Sequence, residues 1–203
     1  MRESSRTDSE SESPGRATLR REQILGAAAS CFSRHGFHGA SMSEISREAG
    51  MSVGHIYHYF SNKEAIIAAI VEREQQRVLR INADIRRYES WAEGMIDLVA
   101  RAVSENIDSR ERALLLEMLA EAARNPAVAT TLQEADVEVR RQIAETLAVA
   151  SNQPEGLTDL SARTEVLAAL FEGLHSRAIR NPQIDHVAIT RVIQQVLRGL
   201  LEP

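Results

Sequence analysis

Residues 41–60, SMSEISREAGMSVGHIYHYF, predict two short helices joined by a tight turn. Ser41 or Ser43 can cap the first helix, because a serine oxygen accepts a free backbone N–H of the opening turn. Gly50 predicts the end of that helix, since glycine adopts a positive φ without a clash at Cβ. Ser52 is expected to cap the second helix. This arrangement is typical of a helix-turn-helix, whose second helix enters the major groove of DNA.

The apolar spacing in this stretch separates an inward face from an outward face. We expect five residues to point inward: Ile45, Ala49, Met51, Ile56 and Tyr59. The second helix then presents five others: Val53, Gly54, His55, Tyr57 and His58. Tyrosine and histidine side chains can contact phosphate or base edges. The alternative is a solvated polar surface on a purely structural helix.

Three residues at helix starts complete the predicted DNA-binding set: Ser41, Ser52 and Lys63. Free backbone N–H groups at a helix start also attract phosphate, so Lys63 is expected to contact the DNA backbone there. Gly54 belongs to the same set because glycine inside a helix costs about 1 kcal/mol relative to alanine. A close approach of this helix to the DNA backbone would explain why that cost is tolerated.

The composition favours an all-α protein of about nine helices. Of the 203 residues, 43% are hydrophobic and only 4% are aromatic, with 10 glycines and 5 prolines. Such a chain is long enough for a substantial core and is poor in strand-forming and helix-breaking residues. Its one cysteine, Cys31, excludes an internal disulfide. The polar N-terminus and the lack of a 20-residue apolar run predict a cytoplasmic, soluble protein.

The charge is unevenly distributed along the chain. The net charge of −5 argues at first against nucleic-acid binding, but residues 16–63 carry six basic and three acidic side chains. A locally positive region on an acidic protein can still bind phosphates. The charge pattern is therefore compatible with DNA binding by the N-terminal part.

The sequence predicts a disordered arm over residues 1–15, a DNA-binding domain over 16–64 and a second domain over 65–203. The arm is rich in Ser, Glu and Arg, and the first helix is expected to run from Thr18 to His35. A long helix is expected to begin near Ser61, with Glu64 completing a capping box, and to end near residue 88. At 1.5 Å per residue it would span about 35–40 Å.

The remaining apolar stripes and caps predict five further helices. They are expected over residues 91–107, from 108 onward, over 125–149, over 159–179 and over 186–201. The last two are amphipathic and could pair with the same helices of a second copy as a four-helix bundle about a two-fold axis. The alternative is that both stripes only close the core of their own chain.

The run from Gly50 to Ile66 (GMSVGHIYHYFSNKEAI) resembles the TetR/AcrR family of bacterial transcriptional repressors. The resemblance extends over about residues 18–72 and includes the preceding REQILGAA helix and the Phe32…His35-Gly36-Phe37 turn. It implies an N-terminal three-helix DNA-binding domain, a long connecting helix, and a C-terminal domain that binds a small ligand and forms a homodimer. Ligand identity does not follow from it, because the C-terminal domain varies widely in this family.

Four residues are candidates for ligand binding in the C-terminal domain: Glu117, Glu121, Phe171 and Glu172. The three carboxylates lie among apolar neighbours, and unpaired carboxylates in an apolar cavity would favour a cationic amphipathic ligand. The alternative is a solvated edge, or ion pairs with basic residues at positions 110, 124 or 163. Phe171 lies in the segment ALFEGL, which is similar to the corresponding segment of the family.

The sequence gives little support to an enzyme or a metal site. Two His-x-x-His pairs, His35/His38 and His55/His58, are present, but a zinc site needs four convergent ligands. We find no nucleophile elbow, P-loop or dinucleotide fingerprint, so no catalytic residue, metal or cofactor is predicted. The leading hypothesis is a homodimeric repressor on palindromic operator DNA, released by a hydrophobic or cationic small-molecule effector. The rival hypothesis is a helical enzyme or small-molecule binding protein with a purely structural N-terminal fold.

Overall fold

The computed structural model describes residues 14–104, 109–151 and 158–202, and every regular element in these ranges is an α-helix. The helices of the described chain, in order, are α1 Pro14–Gly39, α2 Met42–Glu48, α3 Val53–Tyr59, α4 Lys63–Ile85, α5 Trp91–Ser104, α6 Ser109–Ala122, α7 Pro126–Ala150, α8 Leu160–Arg180 and α9 His186–Leu201. The all-α prediction is confirmed. No helix among the described residues is long and apolar enough to cross a membrane.

Helix α1 is longer than predicted at both ends. It begins at Pro14, where the missing proline N–H is one that a helix start leaves unpaired anyway. The prediction of disorder is therefore wrong for Pro14 and Gly15, and residues 1–13 lie outside the described residues. At the other end, Gly36 has φ 70° and ψ 166°, so the regular helix breaks there before a final turn that ends at Gly39.

Helix α4 is capped by a different residue than predicted. The side chain of Asn62, not Ser61, accepts a hydrogen bond from the backbone N–H of Ala65, at 2.8 Å. Both residue types cap helices well, so adjacent candidates are hard to separate from sequence alone. The helix ends at Ile85, three residues before the predicted end.

The later helices agree with the prediction to within a few residues. Asn125 caps α7 by accepting a hydrogen bond from the N–H of Ala127, with Pro126 at the first helical position as expected. The predicted end of α5 at residue 107 and most of the segment between the helices predicted over 125–149 and 159–179 lie outside the described residues.

A large apolar core, here called the N-terminal cluster, joins helices α1–α4 to α6 and α7. Its fully buried members include Phe32 on α1, Ile45 on α2 and Ile56 on α3. Helix α6 contributes Leu114 and Met118 to the same cluster. The helix-turn-helix therefore rests on a core that the C-terminal part of the chain completes, and the predicted boundary at residues 64 and 65 does not separate two cores.

A second core, here called the C-terminal cluster, lies among α4, α5, α7, α8 and α9. Its buried members are Ile85, Met95, Leu147, Leu167, Ile193 and Leu197. Trp91 and Phe171 pack against it and are half-buried. Helix α4 contributes to both clusters, since Ile66 and Ile70 lie in the first. One continuous helix thus connects the N-terminal cluster with the C-terminal cluster.

Candidate DNA-binding site

The start of α2 is fixed by a reciprocal pair of hydrogen bonds between Ser41 and Glu44. The N–H of Glu44 donates to the Ser41 hydroxyl oxygen at 3.1 Å, and the N–H of Ser41 donates to the Glu44 carboxylate at 2.7 Å. The Ser41 hydroxyl also donates to that carboxylate, at 3.0 Å. These bonds, the backbone one first, lower the pKa of Glu44 from its usual value. Of the two predicted candidates, Ser41 and Ser43, Ser41 is the residue that caps this helix.

The turn between α2 and α3 has the predicted geometry. Gly50 has φ 64°, and the N–H of Met51 donates to the carbonyl of Ser46 at 2.9 Å. Ser52 then caps α3, because its hydroxyl oxygen accepts the N–H of His55 at 3.2 Å. Short-range hydrogen bonds therefore fix the orientation of α3 at its first turn.

Helix α3 buries one side and exposes the other as predicted. Ile56 is fully buried, whereas Gly54, His55, Tyr57 and His58 are exposed. Tyr57 is 51% exposed, so its ring is not needed to fill the core. Two residues of this helix are half-buried: Val53, which the sequence predicts on the exposed face, and Tyr59, which it predicts to point inward.

An aromatic group forms one edge of the exposed face of α3. The ring centroid of Tyr59 lies 5.3 Å from that of His55 and 5.2 Å from that of His58, both in edge-to-face orientation. Edge-to-face contacts of this kind are favourable for aromatic rings. The two histidines are therefore ordered by a neighbouring ring while their nitrogens remain on an exposed surface.

Nothing in the described part of the chain requires position 54 to lack a side chain. A Cβ built at Gly54 meets no described atom within 4 Å, and its φ is not positive. Alanine would thus fit and favour the helix by about 1 kcal/mol. The open space at this position is compatible with a close approach by another molecule.

Lys63 differs from its predicted role as a phosphate contact. Its ammonium group donates to the carbonyl oxygens of Phe37, at 2.7 Å, and Ala40, at 2.9 Å. It also lies 4.5 Å from the centroid of the Phe37 ring. The lysine thus ties the start of α4 to the turn that precedes α2, a long-range contact that the sequence pattern could not show.

Glu121 is buried as expected but is not an unpaired carboxylate in a ligand cavity. It is 1% exposed and lies 3.1 Å from the Nε2 atom of His38, at the end of α1. It also accepts hydrogen bonds from Arg124, at 3.3 Å, and from the Asn125 side chain, at 3.1 Å. The ion-pair alternative is therefore the one that the structure supports.

The other three ligand candidates do not converge with Glu121 on one site. The Glu117 carboxylate covers Gly36, with Oε2 3.2 Å from where a Cβ would stand. Glu172 is exposed on α8, and Phe171 packs against the C-terminal cluster. Glu121 is thus paired within the chain and Glu172 is exposed to solvent, so these two carboxylates do not form one unpaired acidic site.

Arg47 is a candidate phosphate contact that the sequence interpretation did not single out. Helix α3 carries no lysine or arginine, so positive charge must come from neighbouring elements. Arg47 lies in the last turn of α2 with its side chain 79% exposed, and its Nη2 is 4.0 Å from the Glu44 carboxylate. The sequence feature that could have identified Arg47 is its position about one helical turn before Gly50.

Comparison with known proteins places these features in a family. The sequence-family model described as bacterial regulatory proteins, tetR family, matches residues 24–70. The family model of the BetI-type transcriptional repressor C-terminal domain matches residues 91–202. The transcriptional regulator UidR of Escherichia coli K12 is 29% identical over 181 residues, which are 89% of this chain and 90% of UidR.

Solved structures show the same fold. Salmonella enterica GusR is 30% identical, with a TM-score of 0.73 over 90% of this chain and 95% of GusR. Bacillus subtilis FadR in complex with stearoyl-CoA has a TM-score of 0.72 over 87% of this chain and 96% of that chain, at 20% identity. The capped helix-turn-helix and these matches agree with the resemblance predicted from the sequence: the chain belongs to the TetR family of bacterial transcriptional regulators.

Proposed function

We propose that this protein is a homodimeric repressor that binds a palindromic operator and is released by a small-molecule effector. The observation that carries the DNA-binding part is the geometry of α2 and α3. Both helices are fixed by serine caps and by the buried residues Ile45 and Ile56, while Gly54, Tyr57 and the two histidines of α3 remain exposed. An ordered helix with an exposed polar face is what entry into the major groove requires.

In the proposed complex, α3 reads base edges and its neighbours contact phosphate. His55, Tyr57 and His58 supply hydrogen-bonding groups, and Val53 and the Tyr57 ring can contact a thymine methyl group. Ser41, Ser52 and Arg47 contact the DNA backbone. Lys63 contributes to this surface only indirectly, by holding the turn before α2.

Removal of the Tyr57 side chain tests this proposal most directly. We expect Tyr57→Ala to weaken binding about 10-fold to 100-fold, because a good base contact is worth about 1–3 kcal/mol. Its exposure predicts an unchanged melting temperature. The measurement is a gel shift at low salt with the DNA upstream of the protein's own gene. Failure of the folded wild-type dimer to retard that DNA would contradict the proposal.

Glycine replacements in two helices provide a matched control. Among the residues that the structure describes, no atom lies within 4 Å of a Cβ built at Gly26 on α1 or at Gly54 on α3, so alanine should stabilise both helices slightly. Only Gly54→Ala is expected to weaken DNA binding, because only that position is proposed to approach the DNA. Equal DNA affinity of the two variants would remove Gly54 from the interface.

The proposed dimer uses the outer faces of α8 and α9. On α9, Ile193 and Leu197 are buried in the C-terminal cluster, while Val192 is 57% exposed and Val196 is 39% exposed. On α8, Val166 is 53% exposed. Apolar residues on the side of a helix that faces away from its own core are typical of a surface that another protein covers. Pairing of both helices with a second copy would give an isologous interface.

Charge placed on this face should separate the protomers. We expect the double substitution Val192→Glu and Val196→Glu to convert a dimer into a monomer in sedimentation velocity experiments. Val137→Glu is the matched control, because Val137 is 58% exposed but lies on α7. A wild-type monomer, or a double variant that remains dimeric, would contradict this interface.

Two connections could transmit an effector signal to DNA. Helix α4 contributes to both clusters, and Glu121 of α6 contacts His38 directly before the helix-turn-helix. An effector can shift the spacing of the two recognition helices only through its differential affinity for the two arrangements. The proposed release therefore requires a ligand site in the C-terminal region that is coupled to at least one of these connections.

A further inference from the structure

Arg163 of α8 donates hydrogen bonds to backbone carbonyls at the ends of two helices. Its Nε atom donates to the carbonyl of Thr158, two residues before α8, at 3.0 Å. Its Nη1 atom donates to the carbonyls of Leu200, at 2.9 Å, and Glu202, at 2.5 Å, at the C-terminal end of α9. The last carbonyls of a helix lack partners within it and carry partial negative charge, so a guanidinium group suits them. Arg163 thus ties the start of α8 to the end of α9.

The backbone at the start of α8 is strained. Asp159, which directly precedes the helix, has φ 54° and ψ 30°, and it is the one residue other than glycine with a positive φ in the described chain. Its side chain makes no capping hydrogen bond. Such a conformation persists where surrounding contacts hold it. The hydrogen bond from Arg163 to the Thr158 carbonyl is a contact of this kind, so one side chain holds both this unusual start and the end of α9.

Helices α8 and α9 have different main packing neighbours. Helix α8 packs mainly on α7, where Arg140 lies 2.7 Å from Glu165, and α9 packs mainly on α5. The two helices share the C-terminal cluster through Leu167 and Leu197. Apolar burial is non-directional, whereas a hydrogen bond restricts both distance and angle. The bonds of Arg163 therefore restrict how the end of α9 lies relative to α8.

The proposed dimer surface lies on the same two helices. Val166 follows Arg163 by about one turn on α8, and Val196 precedes Leu200 by about one turn on α9. Both valines are exposed. In an isologous interface the same surface of both protomers must match, so a displacement of α9 relative to α8 would occur twice in each dimer. The fit of the interface is therefore sensitive to the contact that Arg163 makes.

We propose that Arg163 is a positioning residue for dimerisation, which holds α8 and α9 in the relative orientation at which their exposed valines match a second copy. This role rests on the dimer proposed above and adds the residue on which the fit of that interface depends. Arg163 acts within its own chain and needs no contact with the partner. Its loss should therefore weaken the association of a protein that is still folded.

Arg163→Met tests this role, because methionine keeps an unbranched apolar stem and removes all three hydrogen bonds. We expect the dissociation constant of the full-length dimer to rise about tenfold or more, since hydrogen bonds from a charged group are lost. The measurement is sedimentation velocity over a series of protein concentrations. Arg198→Met is the matched control, because Arg198 is exposed in the last turn of α9 and its loss removes the same charge at the same helix end. The control should change the dissociation constant by no more than about twofold.

Two further measurements separate positioning from general support of the fold. Circular dichroism and Trp91 fluorescence show whether each variant is folded at the temperature of sedimentation. Arg163→Lys keeps a cation but has one nitrogen in place of the two that donate here, so its dissociation constant should lie between those of the wild type and Arg163→Met. A residue that served only the stability of its own chain would lower the melting temperature without changing the dissociation constant of the folded protein.

The results distinguish failure of this role from failure of the proposed dimer. A folded Arg163→Met or Arg163→Lys variant with the dissociation constant of a dimeric wild type would overturn the role and leave the dimer intact. An equal weakening by Arg198→Met would overturn it as well, because the lost charge alone would then explain the effect. Failure of both Arg163 variants to fold would show that the chain itself requires the arginine, and would also overturn the role. A monomeric wild type would contradict the dimer and this inference together.

Discussion

Among the described residues, the N-terminal and C-terminal clusters differ in size and in the apolar side chains exposed beside them. Among the described residues, the N-terminal cluster has twenty buried members and eight partly buried ones, whereas the C-terminal cluster has six and eleven. The first includes residues from α6 and α7 in addition to the helix-turn-helix. The second leaves valines of α8 and α9 exposed.

This difference corresponds to the two proposed roles. Base recognition needs a rigid platform, and the buried side of α3 rests on the larger of the two described cores. A region that must respond to a ligand and a partner gains stability when they bind, because they bind the folded state. Elements that move in a response are generally drawn from the less stable parts of a protein. The exposed valines of α8 and α9 are thus consistent with regulation.

The prediction with the largest expected effect concerns two phenylalanines. Phe32 belongs to the N-terminal cluster, and Phe171 packs against the C-terminal cluster. Phe32 is 1% exposed, and its ring centroid lies 5.5 Å from that of Phe37. Phe32→Ala should lower the free energy of unfolding by about 3–5 kcal/mol, through lost burial and a cavity. Phe171→Ala should cost only about 1–2 kcal/mol, because Phe171 is half-buried.

Urea denaturation followed by circular dichroism measures both losses. Trp91, the one tryptophan of the chain, packs against the C-terminal cluster, so its fluorescence reports on that region separately. Equal losses for the two variants would show that the clusters are equally well packed and would remove the contrast between them.

The sequence was sufficient where local contacts decide the structure. The caps at Ser41 and Ser52, the positive φ of Gly50 and the exposed face of α3 depend on residues at most four positions apart, so their pattern is visible in the chain. The type of each later helix was likewise predicted from its apolar spacing.

Contacts between distant segments were not predictable in this way. Lys63 and Phe37 are 26 residues apart, and Glu121 and His38 are farther apart still. A lone lysine or glutamate has the same sequence signature whether it contacts solvent, DNA or a buried carbonyl. The packing of α4 and α6 on the turn after Gly36 decides which of these contacts Lys63 and Glu121 make.

The second prediction concerns Gly36, where α6 meets the end of α1. Its φ of 70° and ψ of 166° lie in a region that is essentially restricted to glycine, and Glu117 Oε2 lies 3.2 Å from the Cβ position. Gly36→Ala should therefore cost about 1–3 kcal/mol in denaturation experiments. Gly26→Ala, in the same helix, should instead add up to about 1 kcal/mol. If Gly36→Ala leaves the free energy of unfolding unchanged, the contact between α1 and α6 adjusts easily. That result would contradict a rigid N-terminal cluster.

The smallest effect is electrostatic and concerns Glu138, which lies on α7 between Ala135 of the N-terminal cluster and Ile143 of the C-terminal one. Hydrogen bonds from Arg141, at 2.7 and 2.9 Å, and from Gln142, at 3.2 Å, lower the pKa of Glu138 from 4.5 to about 2. Because the folded-state pKa is the lower one, the carboxylate stabilises the fold above pH 4.5. That contribution is lost as the pH falls from 4.5 to 2.

Melting temperatures of the wild type and Glu138→Gln between pH 6 and pH 2 test this effect. The wild type should be slightly more stable above pH 4.5, and the difference should disappear toward pH 2. The effect is small because the group is solvent-exposed, and 1 M salt should reduce it further. Parallel pH profiles would contradict it. If Trp91 fluorescence falls at a higher pH than the circular dichroism signal, the C-terminal cluster unfolds before the rest of the protein. If the two transitions coincide, α4 and α7 join both clusters into one cooperative unit.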